Sequence, residues 1–349
     1  MLIEPGGYKR VIPLIGLKNE LSLYSVLLGN MPGKVYADDR TKPSSALVKA
    51  YNCNFLAGKP DNNDFNREIY NNLGFWDQLT FDNPWWEEKL AEIHPNKYLR
   101  KYKRRRYVLC KRNHKSMPLK LPEGFVLKKV LYEEIIENKL LNHEKLINWI
   151  DDWGNRKAFE QNGCGAYIAT EKAIVSWSLA DCFTADGIEI GVQTDEKYRR
   201  RGFGAAAANE TIKECFKMGY KKIYWGCTDF NKGSIAIAER LGFPLAGEYC
   251  VYTPYPPAEN LLDFSGNDWL DWALYYENAA KDEPRLLYEQ LYAFIKANNL
   301  KKALKTLESM KKNKVFINCS QIVKDIEHFK SLGMCSNFTD FSSLITSLL

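Results

Sequence analysis

No C-x-x-C pair occurs among the nine cysteines, at 53, 110, 164, 182, 215, 227, 250, 319 and 335. They stand singly and their number is odd, so neither a disulfide framework nor a zinc site is indicated, and reduced thiols are expected. Histidine is scarce: His94, His114, His143 and His328 share no metal-ligand spacing, and no metal is expected. No apolar run approaches the roughly 18 residues of a membrane span. The opening MLIEPGGYKRVIPL lacks the apolar stretch of a secretory signal. A cytoplasmic protein without membrane contact is expected. A strong excess of one charge is also missing: 49 basic against 43 acidic residues leave a net +6. That is too mild to demand nucleic acid, but it suits an anionic small ligand.

What is present is an ordinary globular balance with 13% aromatics, including nine tryptophans, over 349 residues. This length suggests two or three domains, at about 100–200 residues each. Helical spacing is expected over 11–30, two strands over 33–39 and 44–58, and a capped helix over 62–74 with Asn63 or Asp64 as cap. A short strand near 75–81, a Pro-led helix over 84–93 and a strand over 104–110 complete an α/β region, 1–115. The two prolines of NHKSMPLKLPEG mark a boundary. Beyond it, strands are expected over 125–130, 163–170, 173–183, 187–194, 221–228 and 247–253. One or two helices are expected over 132–153, and one each over 203–218 and 232–242, making a second α/β domain, 116–258. After Pro254, Pro256 and Pro257, residues 259–349 read as helices only, with a hairpin turning at Ala297-Asn298-Asn299. Only one convincing helix pair is present, so this region is expected to be a cap or protein-interaction domain rather than a solenoid.

The segment YRRRGFGAAAANE (198–210) sets Arg199, Arg200 and Arg201 directly before a Gly-x-Gly and four alanines. It could be a solvated basic loop. Gly202 to Ala207 also fits G-x-G-x-x-A, but a dinucleotide fingerprint needs its first glycine next to a buried strand, and DEKYRRR intervenes. A P-loop is excluded, because no Gly-Lys-Ser/Thr follows. The third reading is a strand–loop–helix junction whose helix-start N–H groups bind phosphate. Gly202 and Gly204 let a diphosphate approach the backbone, and Arg199 and Arg201 neutralise it.

EIGVQTDEKYRRRGFG (189–204) resembles the coenzyme-A-binding signature of the GNAT superfamily of N-acetyltransferases, in which a strand bearing an acidic residue runs into R/Q-x-x-G-x-G/A. Arg199, Gly202 and Gly204 match that pattern. The likeness continues through KKIYWGC and NKGSIAIAERLGF, covering roughly 124–255. The longer layout is similar to a bacterial GNAT subgroup with an extra N-terminal α/β domain. The resemblance implies a mixed central sheet splayed at its fourth strand, with acetyl-CoA in the splay. Backbone groups at Gln193 and Thr194 would meet the pantetheine, and amides of Arg200, Arg201, Gly202, Phe203, Gly204 and Ala205 the pyrophosphate. Asn231 and Ser234 would reach the pantetheine or its phosphate.

Acetyl transfer to an amine needs a base, donors for the thioester oxygen and a way to release the thiol. By the resemblance, Glu189 stands at the usual base position, with Asp181 as second candidate. Each could instead be a structural strand carboxylate. Family members often protonate the leaving thiolate with a tyrosine seven residues after the motif asparagine; here that residue is Ala238. Tyr249 and Tyr252 are the substitutes, and Trp177 and Trp225 could line the acceptor pocket. The expected activity is acetyl transfer from acetyl-CoA to a primary amine by direct attack in a ternary complex. A non-catalytic coenzyme-A-binding regulator is the alternative. A nucleic-acid-associated protein is the third reading, favoured only by LRKYKRRRYVLCKR (99–112), which otherwise reads as a strand with one solvated basic face.

Overall fold

The computed structural model describes residues 1–17, 20–51, 53–118, 120–339 and 341. The chain order begins with a 3-10 stretch, Pro5–Leu14, then α1 (Leu21–Leu27), β1 (Lys34–Ala37), β2 (Ser45–Lys49), β3 (Asn54–Gly58), α2 (Asn63–Asn72), β4 (Leu79–Phe81), α3 (Trp85–Ile93) and β5 (Arg100–Cys110). It continues with β6 (Val126–Lys129), α4 (Tyr132–Asn138), α5 (His143–Asp151), α6 (Arg156–Asn162), β7 (Gly165–Ala169), β8 (Ile174–Phe183) and β9 (Gly187–Thr194). Then come α7 (Phe203–Lys217), β10 (Lys222–Thr228), α8 (Lys232–Arg240) and β11 (Leu245–Thr253). Four helices follow: α9 (Gly266–Ala279), α10 (Leu287–Lys296), α11 (Leu300–Lys312) and α12 (Cys319–Ser331).

Several elements differ from the sequence expectation for local reasons. The helix expected over 11–30 is replaced by the 3-10 stretch, which contains Pro13, and by the short α1; its residues 18 and 19 lie outside the described residues. The run 44–58 is a hairpin rather than one strand, closed by Ala50 N–H donating to Cys53 O. α2 is capped by Asn62, not by Asn63 or Asp64: the Asn62 side chain accepts the Phe65 N–H. Of the one or two helices expected over 132–153 there are two, parted where Lys139 and Asn142 take left-handed backbone angles, φ 44° and 72°. α6, capped by Asn155, had no counterpart in the expectation.

The eleven strands among the described residues form one sheet, in the order β1-β2-β3-β4-β11-β5-β10-β9-β8-β7-β6. Neighbours are antiparallel except β3–β4 and β9–β10. The sheet therefore contains the same succession twice. β1-β2-β3-α2-β4-α3-β5 is followed by β7-β8-β9-α7-β10-α8-β11, and each run ends in a strand that pairs with the other run. β5 lies against β10, and β11 against β4. The chain divides into two compact units, Met1–Pro254 and a second beginning at Tyr255. The boundary expected near residue 115 does not separate two bodies, because β5 is hydrogen-bonded between β11 and β10 along its length.

This topology also accounts for the basic run 99–112. It is a central strand with several of its charges paired. Lys101 bonds Glu87 at 2.8 Å, Arg105 and Lys103 lie 3.6 and 3.8 Å from Glu248, and Arg106 is buried. Lys101, Lys103 and Arg105 alternate along β5 with their side chains in or near solvent, the one solvated basic face expected of this strand. The main core packs Trp153, Trp177, Trp225, Tyr107 and Tyr167 with aliphatic residues of β7–β10 and α7. No helix among the described residues is long and apolar enough to cross a membrane.

Candidate active site

β9 and β10 pair only through Gly187–Lys222, Ile188–Ile223 and Glu189–Tyr224. Beyond Glu189 they separate. β9 stays with β8 as far as Thr194, and β10 stays with β5 as far as Thr228. The strand edges left between them carry backbone groups that seek partners. At the far end of β9 the chain turns through Arg199 (φ −63°), Arg200 (φ 61°) and Gly202 (φ 80°). Arg199 is extended (ψ 161°), and the left-handed Arg200 and Gly202 after it turn the chain into the next helix.

α7 starts at once, and its first intrahelical bond is Ala206 N–H to Gly202 O, 3.0 Å. The amides of Phe203, Gly204 and Ala205 precede that bond, so they have no intrahelical acceptor and carry the positive end of the dipole. The cap residue, Gly202, has no side chain to satisfy them. Gly204 brings the helix down on the strand end: a Cβ there would lie 3.1 Å from Thr194 Oγ1 and 3.2 Å from Ile237 Cδ1. The arginines divide their work. Arg199 Nε donates to Thr194 O at 3.2 Å and braces the loop; Arg200 is exposed, and so is Arg201, whose guanidinium lies over the Tyr198 ring. Open amides flanked by exposed guanidinium groups fit a pyrophosphate. Gln193 is exposed beside this turn, whereas Thr194 shares a 2.7 Å hydrogen bond with Ser176. Asn231 and Ser234 are both engaged within the protein. Asn231 Oδ1 caps α8 by accepting Ser234 N–H, and Ser234 Oγ accepts the Trp225 indole N–H, each at 2.8 Å.

Where the two strands part, Glu189 is buried against Arg106, whose Nη1 donates to Glu189 Oε1 at 2.5 Å. Arg106 Nη2 donates to Glu20 Oε2 and, at 3.2 Å, to the Tyr249 hydroxyl. β10 makes room for the pair with a glycine. A Cβ on Gly226 would lie 2.8 Å from Arg106 Nη1 and 3.3 Å from Glu189 Oε1. Burial raises the Glu189 pKa and Glu20 adds to the rise, while Arg106 and Arg104 oppose it.

Asp181 sits at the irregularity in the β8–β9 ladder, where the register shifts between Ala180 and Cys182. A bulge re-aims a side chain next to a site. The Asp181 carboxylate accepts the Trp149 indole N–H at 2.5 Å, and a Cβ on Gly191 would meet both the Trp149 ring and Asp181 Oδ2. Its exposed area is intermediate, yet enough protein surrounds it that burial raises its pKa well above the usual carboxylate range, with the Glu189 charge adding. Those two observations together describe a group deep in a cleft that water reaches. Tyr51, from the β2–β3 turn, belongs to the same cleft. It is 40% exposed, while burial and then the charges of Asp181, Cys182, Glu189 and Glu20 push its phenol well up.

The remaining candidates separate. Tyr249 reaches the cluster, but Tyr252 lies three residues on, facing the other side of the sheet. Its hydroxyl donates to Glu87 at 2.6 Å and its ring stacks on Phe81, which removes it from the site. Trp177 is buried in the core, as is Ala238. Among the described residues no group of three His, Cys, Asp or Glu is placed to hold a metal. Sequence reasoning missed Arg106, Glu20, Trp149 and Tyr51 as site residues. Two interior strand glycines could have signalled two of them, Gly226 for Arg106 and Gly191 for Trp149, since such a glycine marks a close approach.

The family described as GNAT acetyltransferase matches residues 13–252. The chain belongs to that family and is an N-acetyltransferase. It is 28% identical over 243 residues to an uncharacterized N-acetyltransferase, YdfB, of Bacillus subtilis (strain 168), covering 66% of this chain and 88% of that one. It is also similar to the crystal structure of a GCN5-related N-acetyltransferase-like protein from Streptococcus suis 89/1591, with 26% identity and a TM-score of 0.57. That likeness covers 71% of this chain and 98% of the other. The helices from Tyr255 onward lie outside the family match.

Proposed function

We propose that the protein transfers an acetyl group from acetyl-CoA to a primary amine by direct attack within a ternary complex. The observation that carries this reading is the parting of β9 and β10 immediately after Glu189, with the left-handed turn Arg200–Gly202 at the open end. In this reading the amides from Arg200 to Ala205 hold the pyrophosphate, and the edge of β9 that β10 leaves, near Gln193 and Thr194, runs beside the pantetheine. Asn231 shapes the opposite wall by fixing the start of α8.

The proton acceptor in this reading is Asp181. A base that takes a proton from an ammonium group near neutrality works best with a pKa above the ordinary carboxylate range. Burial raises both carboxyls, but Asp181 is partly exposed and bonded only by a neutral indole, whereas Glu189 is buried and held by the Arg106 guanidinium. Glu189 then serves as a fixed negative charge beside the acceptor nitrogen. The absence of a phenol at Ala238 is tolerable: leaving as a thiolate with pKa near 8.5 costs only about 2 kcal/mol at pH 7.

Calorimetric titration with acetyl-CoA tests the assignment. Gly202→Asp adds a carboxylate and a side chain where φ is 80°, and should weaken binding about 100-fold, or about 2.7 kcal/mol. Wild-type affinity in that variant would remove the cofactor site from this turn.

A further inference from the structure

We propose that Arg106 and Glu20, both contributed by the N-terminal run of the sheet, are positioning residues for the acetyl transfer: their shared guanidinium holds Glu189 as a fixed anion where β9 and β10 part, and this leaves Asp181 as the group that exchanges a proton with the acceptor. The proposal rests on the acetyl-transfer reading above and deepens it.

Three observations carry it. First, the bridge is a fork. One nitrogen of Arg106 goes to Glu189 and the other to Glu20, with all three side chains at most 8% exposed. Two carboxylates that share one guanidinium keep a net negative charge, which a planar fork can hold in place and a lysine cannot. Second, Arg106 stands opposite Gly226 in the β5–β10 register, and Gly226 is the residue whose missing side chain lets the Arg106–Glu189 pair pass. Third, the groups around the two acidic residues differ. Glu189 faces Arg106, Glu20, Arg104 and the Cys182 thiol at 3.9 Å. Asp181 faces Glu189, Asp152, the Trp149 N–H, Arg106 at longer range, and the Tyr51 phenol. A cation thus touches Glu189, whereas the hydrogen bond that Asp181 receives comes from a neutral indole. A proton entering the cluster therefore goes to Asp181.

The Trp149 indole N–H reports on this without any ligand. In the full chain labelled with 15N, its cross-peak, identified by its loss in Trp149→Phe, should titrate with Asp181. The midpoint should lie well above the ordinary carboxylate range. Glu189→Gln removes the adjacent anion and should lower the midpoint by about one pH unit. Glu20→Gln leaves Arg106 wholly to Glu189 and should move it by less than half as much. Arg106→Lys offers one ammonium to two carboxylates, lets a proton settle between them, and should lower the midpoint part of the way. Adding Glu20→Gln to Arg106→Lys should return it toward wild type.

A midpoint that ignores Glu189→Gln, equal shifts for the two glutamine variants, or an Arg106→Lys shift that the second substitution does not reverse would each overturn the proposal. Should Arg106→Lys not fold, the two near-isosteric glutamine variants still decide. Because no acetyl-CoA is in the sample, failure here is separate from failure of acetyl-CoA to bind at the Arg200–Gly202 turn.

Discussion

Two junctions in this sheet are built alike and end differently. At each, a parallel pair of strands holds together for three residues, β3 with β4 and β9 with β10, and a helix follows the first strand. α2 begins from KPDNND, and the Asn62 side chain occupies its Phe65 amide, with Asp61 and Asp64 adding negative charge. α7 begins from RRRGFG, with a glycine cap and no acidic residue in its first turn. A helix start becomes an anion site only when its own cap leaves the amides free and the surrounding charge is positive. By that criterion the first junction is a closed counterpart of the second. We take residues 1–115 to be an acetyltransferase-like half that supports the site without binding coenzyme A itself.

The largest expected effect comes from cutting the two runs apart. A fragment comprising 116–349 lacks β5, so β10 and β11 lose the strand between them and Glu189 loses Arg106. It should lose acetyl-CoA affinity, and the thermal transition that remains by circular dichroism should be that of the helical unit beginning at Tyr255. A stable, binding fragment would mean that the exchange of β5 and β11 is dispensable.

Asp181→Asn keeps the carbonyl that accepts the Trp149 N–H and should lower kcat/KM about 10²–10⁴-fold while acetyl-CoA affinity stays near wild type. In the wild type, kcat/KM should fall as pH drops through the raised pKa of Asp181, and that acidic limb should vanish in the variant. Stability should move the other way. A carboxyl raised on folding binds more protons in the native state, so it destabilises the protein above its folded pKa and not below its unfolded one. Asp181→Asn should therefore raise Tm at pH 7. Full turnover with an unchanged pH profile would return the base role to Glu189.

Tyr252→Phe, on the opposite sheet face, should leave kcat/KM within about twofold and lose only the bond to Glu87, about 1 kcal/mol. A large loss of turnover would put the phenol back in the site. The smallest effect is expected at the closed junction. Asn62→Ala should cost about 1 kcal/mol and lower Tm by about 2–4 °C without altering acetyl-CoA affinity. If opening that cap creates coenzyme A binding, the difference between the junctions lies in the cap alone and not in charge.

Local chemistry by itself determined the arginine–glycine turn, most of the strands and helices, and the all-helical character of the described residues after Tyr255. Each depends on residues within a few positions: a glycine that can take φ 80°, alternation along β8 and β9, capping asparagines. Only the tertiary structure decided that β5 and β11 change places and that Arg106 meets Glu189 across 83 residues. It also decided that Tyr249 and Tyr252 face opposite sides of the sheet, and that Tyr51 looks into a cleft formed by strands more than a hundred positions away. Nothing in a stretch of basic strand residues announces which one will be buried, because the partner carboxylates are brought to it by strand pairing rather than by spacing. Arg106 looks in sequence like its neighbours Arg104 and Arg105, and its role follows from the one place in β10 where a glycine leaves room for it.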